Sequence, residues 1–155
     1  MLTRAIATVI PLLLTLLVAA CGGSAAATPA SVAGGPVVIR DAWVRAASAG
    51  NTTAAYMTIT NGRVAEDMLV GVSAPEVTQS ASLHETTTDG SGMTGMRHTA
   101  SIALPSGQAV ELKPGGYHIM LVDLAQDLAV GDRVQLTLTF EQAGTIDVTA
   151  EVRAN

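Results

Sequence analysis

From Val37 to Val152, apolar and polar residues alternate in short runs separated by Gly, Pro, Asn and Asp. A period of two is the signature of strands with one buried face. The clearest case is near the end of the chain. Val134, Leu136, Leu138 and Phe140 face one way, with Gln135, Thr137 and Thr139 on the other side. Ile146, Val148, Ala150 and Val152 repeat the pattern after turn residues Gln142–Gly144, so the pair predicts a hairpin. Further strands are predicted over Val37–Arg45, Ala54–Asn61, Asp67–Ser73, Val77–Thr86, Ala109–Lys113 and Tyr117–Leu124. Within Ala54–Asn61, Ala55, Met57 and Ile59 oppose Tyr56, Thr58 and Thr60. No run supports a helix longer than a turn or two. Many short strands joined by turn residues predict an all-β fold, an antiparallel β-sandwich or Greek-key barrel. With only four aromatic residues, its core must be built from Val, Leu, Ile and Ala. Met57 and Met68 lie inside apolar alternation and are read as core fillers.

The first residues follow a different pattern. Met1–Ala20 carries one basic residue, Arg4, and an apolar stretch from Ala5 to Val18, the form of a secretory signal. That stretch is shorter than the roughly 20 apolar residues a spanning helix needs. Leu17-Val18-Ala19-Ala20-Cys21 places small residues before the chain's single cysteine and resembles the lipobox of bacterial lipoproteins. An unpaired thiol in an exported protein otherwise needs a special reason. The expected organisation is a signal over 1–20, a lipidated Cys21 with a flexible Gly/Ser/Ala/Thr/Pro tether over 21–36, and one domain over 37–153. The protein would be monomeric and lipid-anchored at the bacterial cell envelope, in the periplasm or on the outer face of the cytoplasmic membrane. No disulfide supports the fold, although the compartment permits one. Without the signal, seven basic residues stand against thirteen acidic ones, a formal charge of −6. No basic stripe exists, which argues against a nucleic-acid partner.

Candidate chemistry lies in the histidines and methionines. His118 and Met120 are separated by Ile119, so on a strand they project from one side while Ile119 and Leu121 point to the other. Just before them, Lys113-Pro114-Gly115-Gly116 has the chemistry of a type II turn, with proline at the second position and glycine at the third. Such a turn holds the following residues at a fixed position. An imidazole beside a thioether suits one ion well: thioethers select Cu(I), and imidazole binds copper, whereas hard cations want oxygen. With Cys21 outside the domain no thiolate supplies the softness, so methionine must. Taken singly, His84 reads as an ordinary hydrogen-bonded residue and Met120 is as well explained by core packing. The spacing of the set is what carries the reading. Eleven residues separate His84 from Met96, and twenty-one separate Met96 from His118.

That spacing resembles the periplasmic copper(I) chaperone family PCu(A)C, whose pattern is His, ten residues, Met, twenty-one residues, His-x-Met. Asp41-Ala42-Trp43-Val44-Arg45, Ala55-Tyr56-Met57-Thr58-Ile59 and the run Leu112–Leu121 are similar to family segments too. The departure is the eleventh residue after His84. Thr87–Gly95 reads as a polar, glycine-rich loop, where one added residue is cheap. Met93, with eight residues between it and His84, is a rival donor to Met96; Met96 is favoured by its distance to His118 and by Arg97 after it. The resemblance implies a cupredoxin-like β-sandwich holding Cu(I) with His84, Met96, His118 and Met120. It also implies a carrier without enzymatic activity, delivering copper to an acceptor in cytochrome c oxidase assembly. His98 falls outside the motif and is read as a surface residue. A copper storage or resistance protein would use the same ligands, and a non-metal β-sandwich binding module is the remaining alternative. A blue-copper electron carrier is excluded because its site needs a cysteine thiolate. No serine sits in a nucleophile-elbow context.

Overall fold

The computed structural model describes residues 35–154. The signal segment, Cys21 and residues 22–34 of the expected tether lie outside the described residues. Ten strands follow in order: β1 (Val37–Arg45), β2 (Thr53–Asn61), β3 (Asp67–Ser73), β4 (Ser80–Thr88), β5 (Thr94–His98), β6 (Ile102–Leu104), β7 (Ala109–Leu112), β8 (Tyr117–Val122), β9 (Arg133–Phe140) and β10 (Gly144–Arg153). They form one sheet in the order β5-β4-β8-β2-β1-β10-β9-β3-β6, with β7 also pairing β2. β3 packs against β4 although the two stand near opposite ends of that order, so the sheet folds over on itself. The core fills the space between the halves. Ile59, Leu83, Ile119 and Leu121 contribute from one side, and Leu69, Leu136, Leu138 and Val152 from the other, all buried.

The pairing departs from a wholly antiparallel sandwich at one place. β1 and β10 run parallel, with Trp43 opposite Glu151 and Val44 opposite Val152. No hairpin links these two strands, so chain direction is free there, whereas the β9–β10 hairpin must be antiparallel. β4 begins at Ser80 and not at Val77. Val77 is buried in a tight turn instead, its N–H donating to the Ala74 carbonyl at 3.0 Å. The expected loop over Thr87–Gly95 is also shorter than its composition suggests. β4 continues to Thr88, and β5 returns from Thr94, leaving only Asp89–Met93 as a turn.

That turn is held by Asp89, whose carboxylate Oδ1 accepts from Ser91 Oγ at 2.6 Å and from the N–H groups of Ser91 and Met93 at 2.9 Å each. A polar loop that satisfies its own backbone in this way can close a hairpin without any apolar face. A second carboxylate pins the far end of the sandwich. Buried Asp67 accepts from the N–H groups of Met68 and Gln142 on Oδ1, at 2.8 and 2.9 Å, and of Ala143 on Oδ2 at 2.8 Å. This fastens β3 to the β9–β10 turn.

Candidate metal centre

β8 alternates as a strand with one core face must. Ile119 and Leu121 are fully buried in the core, and His118 and Met120 project from the other face. The entry to β8 is the turn expected from Pro114-Gly115: Gly115 has φ of 80°, and the Gly116 N–H donates to the Lys113 carbonyl at 3.0 Å. The turn does more than place the strand. It presents the Gly116 carbonyl to His118 Nδ1 at 3.0 Å. A carbonyl can only accept, so Nδ1 carries the proton and Nε2 keeps a bare lone pair. That Nε2 is buried and has no hydrogen-bond partner.

Register then assembles the rest. Across β8 and β4, His118 faces His84 and Met120 faces Ser82. Across β4 and β5, His84 faces His98 and Thr86 faces Met96. The His84 and His118 ring centres are 5.9 Å apart. His84 Nε2 lies 3.1 Å from Ser82 Oγ, while its Nδ1 is buried without a partner. A buried polar atom left unpaired costs about 1–3 kcal/mol. Two of them stand on facing histidines, where a ligand from outside the chain could pair them. Burial, then the neighbouring His118 and His98, hold the His84 pKa below the ordinary imidazole value. The neutral ring is the form that can ligate a metal.

The methionines separate cleanly. Met96 and Met120 line the same cleft as His118, a space of about 270 Å³ that also includes Thr86, Tyr56 and Arg45. Met120 is half-buried, and Met96, at 63% exposed, stands at the rim. Met93 is 71% exposed in the β4–β5 turn and does not line the cleft. The structure therefore brings His84, His118 and Met120 together on one face, with Met96 at the rim, and leaves Met93 apart. Two imidazoles and two thioethers suit a soft monovalent ion.

Sequence reasoning did not place four neighbours of this site. Ser82 sits two residues before His84 on the same face, a position that strand periodicity alone could have found. Tyr56 is buried with its ring centre 6.5 Å from His118, and Trp43 stacks on Tyr56 at 4.6 Å, forming an aromatic wall. His98, expected as a surface residue, is indeed exposed but stands directly opposite His84.

This fold and site define a cupredoxin-like β domain of the PCuAC class. The chain is similar to the copper-bound PCuAC domain from PmoF2, with 30% identity and a TM-score of 0.65, over 78% of this chain and 95% of that one. It is similar also to the solution structure of CuI-DR1885 from Deinococcus radiodurans, with 36% identity and a TM-score of 0.63, over 79% and 81%. A sequence relative, "Putative lipoprotein Lxx21020" of Leifsonia xyli subsp. xyli (strain CTCB07), is 35% identical over 130 residues, covering 84% of this chain and 76% of the relative. The chain belongs to the LpqE-like family, described as "Putative lipoprotein LpqE-like", which matches residues 37–152.

Proposed function

We propose that this protein is an extracytoplasmic, lipid-anchored Cu(I) carrier that holds the ion with His84, Met96, His118 and Met120 and passes it to an acceptor protein. The observation that carries the reading is the buried, unpartnered Nε2 of His118 in a cleft lined by Met96 and Met120, with His84, whose buried Nδ1 is also unpartnered, facing it across the strands. The copper-bound state of the PmoF2 domain and of DR1885 supports the same ion. The lipoprotein relatives support export and an anchor, for which Cys21 is the residue. We assign the acceptor to cytochrome c oxidase copper-centre assembly, directly or through an assembly factor, following the PCu(A)C resemblance.

Four neutral donors leave the bound ion its single positive charge and disfavour the divalent ion, which prefers harder ligands and tetragonal geometry. The thioethers need no deprotonation, so their donation persists in mild acid. An acceptor bearing thiolates can take the ion by ligand exchange, each new Cu–S bond replacing a weaker thioether or imidazole contact.

Anaerobic competition with a chromophoric Cu(I) chelator tests the reading. One Cu(I) per chain is expected, with binding lost in His84→Ala and reduced to a weak residue in His118→Ala. Binding should weaken in Met96→Leu and be unchanged in Met93→Leu. A wild type that takes up no Cu(I), or a loss in Met93→Leu in place of Met96→Leu, overturns it. The acceptor is tested separately: copper-loaded protein mixed with the copper-site domain of the oxidase should lose its ion to that domain.

A further inference from the structure

Three histidines stand in one row across adjacent strands: His98 on β5, His84 on β4 and His118 on β8, each directly opposite the next. Successive ring centres are 5.8 and 5.9 Å apart, the first pair edge-on and the second tilted by 38°. A metal lies about 2 Å from each imidazole nitrogen, so two rings sharing one ion have centres within roughly 6 to 6.5 Å. Both neighbouring pairs meet that limit. The outer rings do not, because two strand spacings put them about 9.5 Å apart. Consistent with this, no three His, Cys, Asp or Glu side chains among the described residues converge as a ligand cluster. The row is thus two two-histidine positions that share His84.

The two positions differ in what surrounds them. The inner one has His118, only 4% exposed, beside Met120. The outer one has His98 on β5, whose five residues are all exposed and which ends the sheet. Met96 precedes His98 by two residues on the same face and lines the cleft that holds His118. The geometry points to an outer copper position on His98 and His84, through which Cu(I) passes between a partner protein at the open β5 edge and the inner site. This inference rests on the copper-carrier reading. In the step, His84 keeps its bond to the ion while the Cu–N bond to His98 breaks and the Cu–N bond to His118 forms. The ion stays monovalent, both imidazoles stay neutral, and no electron or proton changes hands. Met96 can follow the ion in either position.

The test uses the full chain and Cu(I). In His98→Gln the equilibrium affinity should stay within roughly threefold of wild type, while the rate of Cu(I) removal by a chromophoric chelator falls at least about tenfold. Arg97→Gln, also exposed on β5, should leave both unchanged. A second measurement uses Ag(I) as a redox-inert probe and the imidazole ¹⁵N shifts. In His118→Ala, which lacks the inner position, Ag(I) should shift the His98 nitrogen, and His98→Gln in that background should abolish the residual binding. An unchanged removal rate in His98→Gln, or a silent His98 resonance in His118→Ala, overturns the outer position. So does an affinity loss beyond about tenfold in His98→Gln, which would make His98 a ligand of the resting site. A wild type that binds no Cu(I) overturns the carrier reading itself, a separate result.

Discussion

Replacing Ser82 by alanine should weaken Cu(I) binding without disturbing the fold. His84 has two ring nitrogens with different surroundings: Nε2 is 3.1 Å from Ser82 Oγ, and Nδ1 is buried with no partner. When Nε2–H donates to the serine hydroxyl, the lone pair is left on Nδ1, where it can reach a metal. With Nδ1 turned to a metal, Nε2 carries the proton and the hydroxyl accepts the hydrogen bond, which restrains the ring as groups behind metal-bound histidines commonly do. A hydrogen bond of this kind is worth about 1 kcal/mol net, which corresponds to about fivefold in affinity. Ser82 is half-buried on the non-core face, so the cost to folding should stay within about 0.5 kcal/mol. Chelator competition reads the affinity, and imidazole ¹⁵N shifts read the tautomer. Ser82→Thr keeps the hydroxyl and should restore wild-type binding. Ser82→Ala binding Cu(I) as tightly as wild type, or a wild-type His84 with its proton on Nδ1, would refute the reasoning.

Met96→Leu should leave thermal unfolding unchanged, since the side chain is exposed, but weaken Cu(I) binding at least about tenfold; Met93→Leu should do neither, and the reverse pattern would reassign the donor. Peroxide should oxidise the exposed Met93 and Met96 before the half-buried Met120 and leave buried Met57 protected, with Cu(I) binding falling in step with the Met96 sulfoxide in peptide mass spectra. Full stoichiometry with Met96 and Met120 both oxidised would count against thioether ligation. For Asp67, burial acts to raise the carboxyl pKa, but the N–H groups of Gln142, Met68 and Ala143 and the charge of Arg63 outweigh it, and the net shift is downward. A folded pKa below the unfolded one gives stability that is fully present above the unfolded value of about 3.9 and lost as pH falls through the folded value. Asp67→Asn should therefore cost about 2 kcal/mol at neutral pH and flatten the acid limb of a urea-unfolding series below about pH 4; an unchanged acid limb would show that the carboxylate is not the anchor.

Strands that bury one face were legible residue by residue. β1 and β3 match their sequence-based limits, and the inward set Val134, Leu136, Leu138 and Phe140 is wholly buried. β5 was not legible because it buries nothing: Thr94–His98 is exposed throughout and contains a glycine. Its ladder to β4 is imposed by the Asp89 turn, a local hydrogen-bond arrangement that composition alone makes look like loop. The parallel contact of β1 with β10 was equally hidden, since the pairing of strands a whole domain apart leaves no periodic trace.

The site divides along the same line. His118 and Met120 were readable together because an i, i+2 pair on a strand shares a face whatever the rest of the chain does. His84 entered through its spacing, and its contact with His118 depends on the β4–β8 register, which the core-facing pair Leu83 and Ile119 fixes. A slip of one residue would turn His84 into the core and Leu83 out to the cleft, so burial enforces the donor geometry. His98 has no such apolar guard. Its place opposite His84 is set by the Asp89–Met93 turn, together with the Arg97–Glu85 ion pair and the bond from the Thr99 N–H to the Leu83 carbonyl. Deleting one residue in that turn would shift β5 by one position and exchange Met96 and His98 for their neighbours on the cleft face. The turn length and the identity of the rim donors are therefore one structural variable.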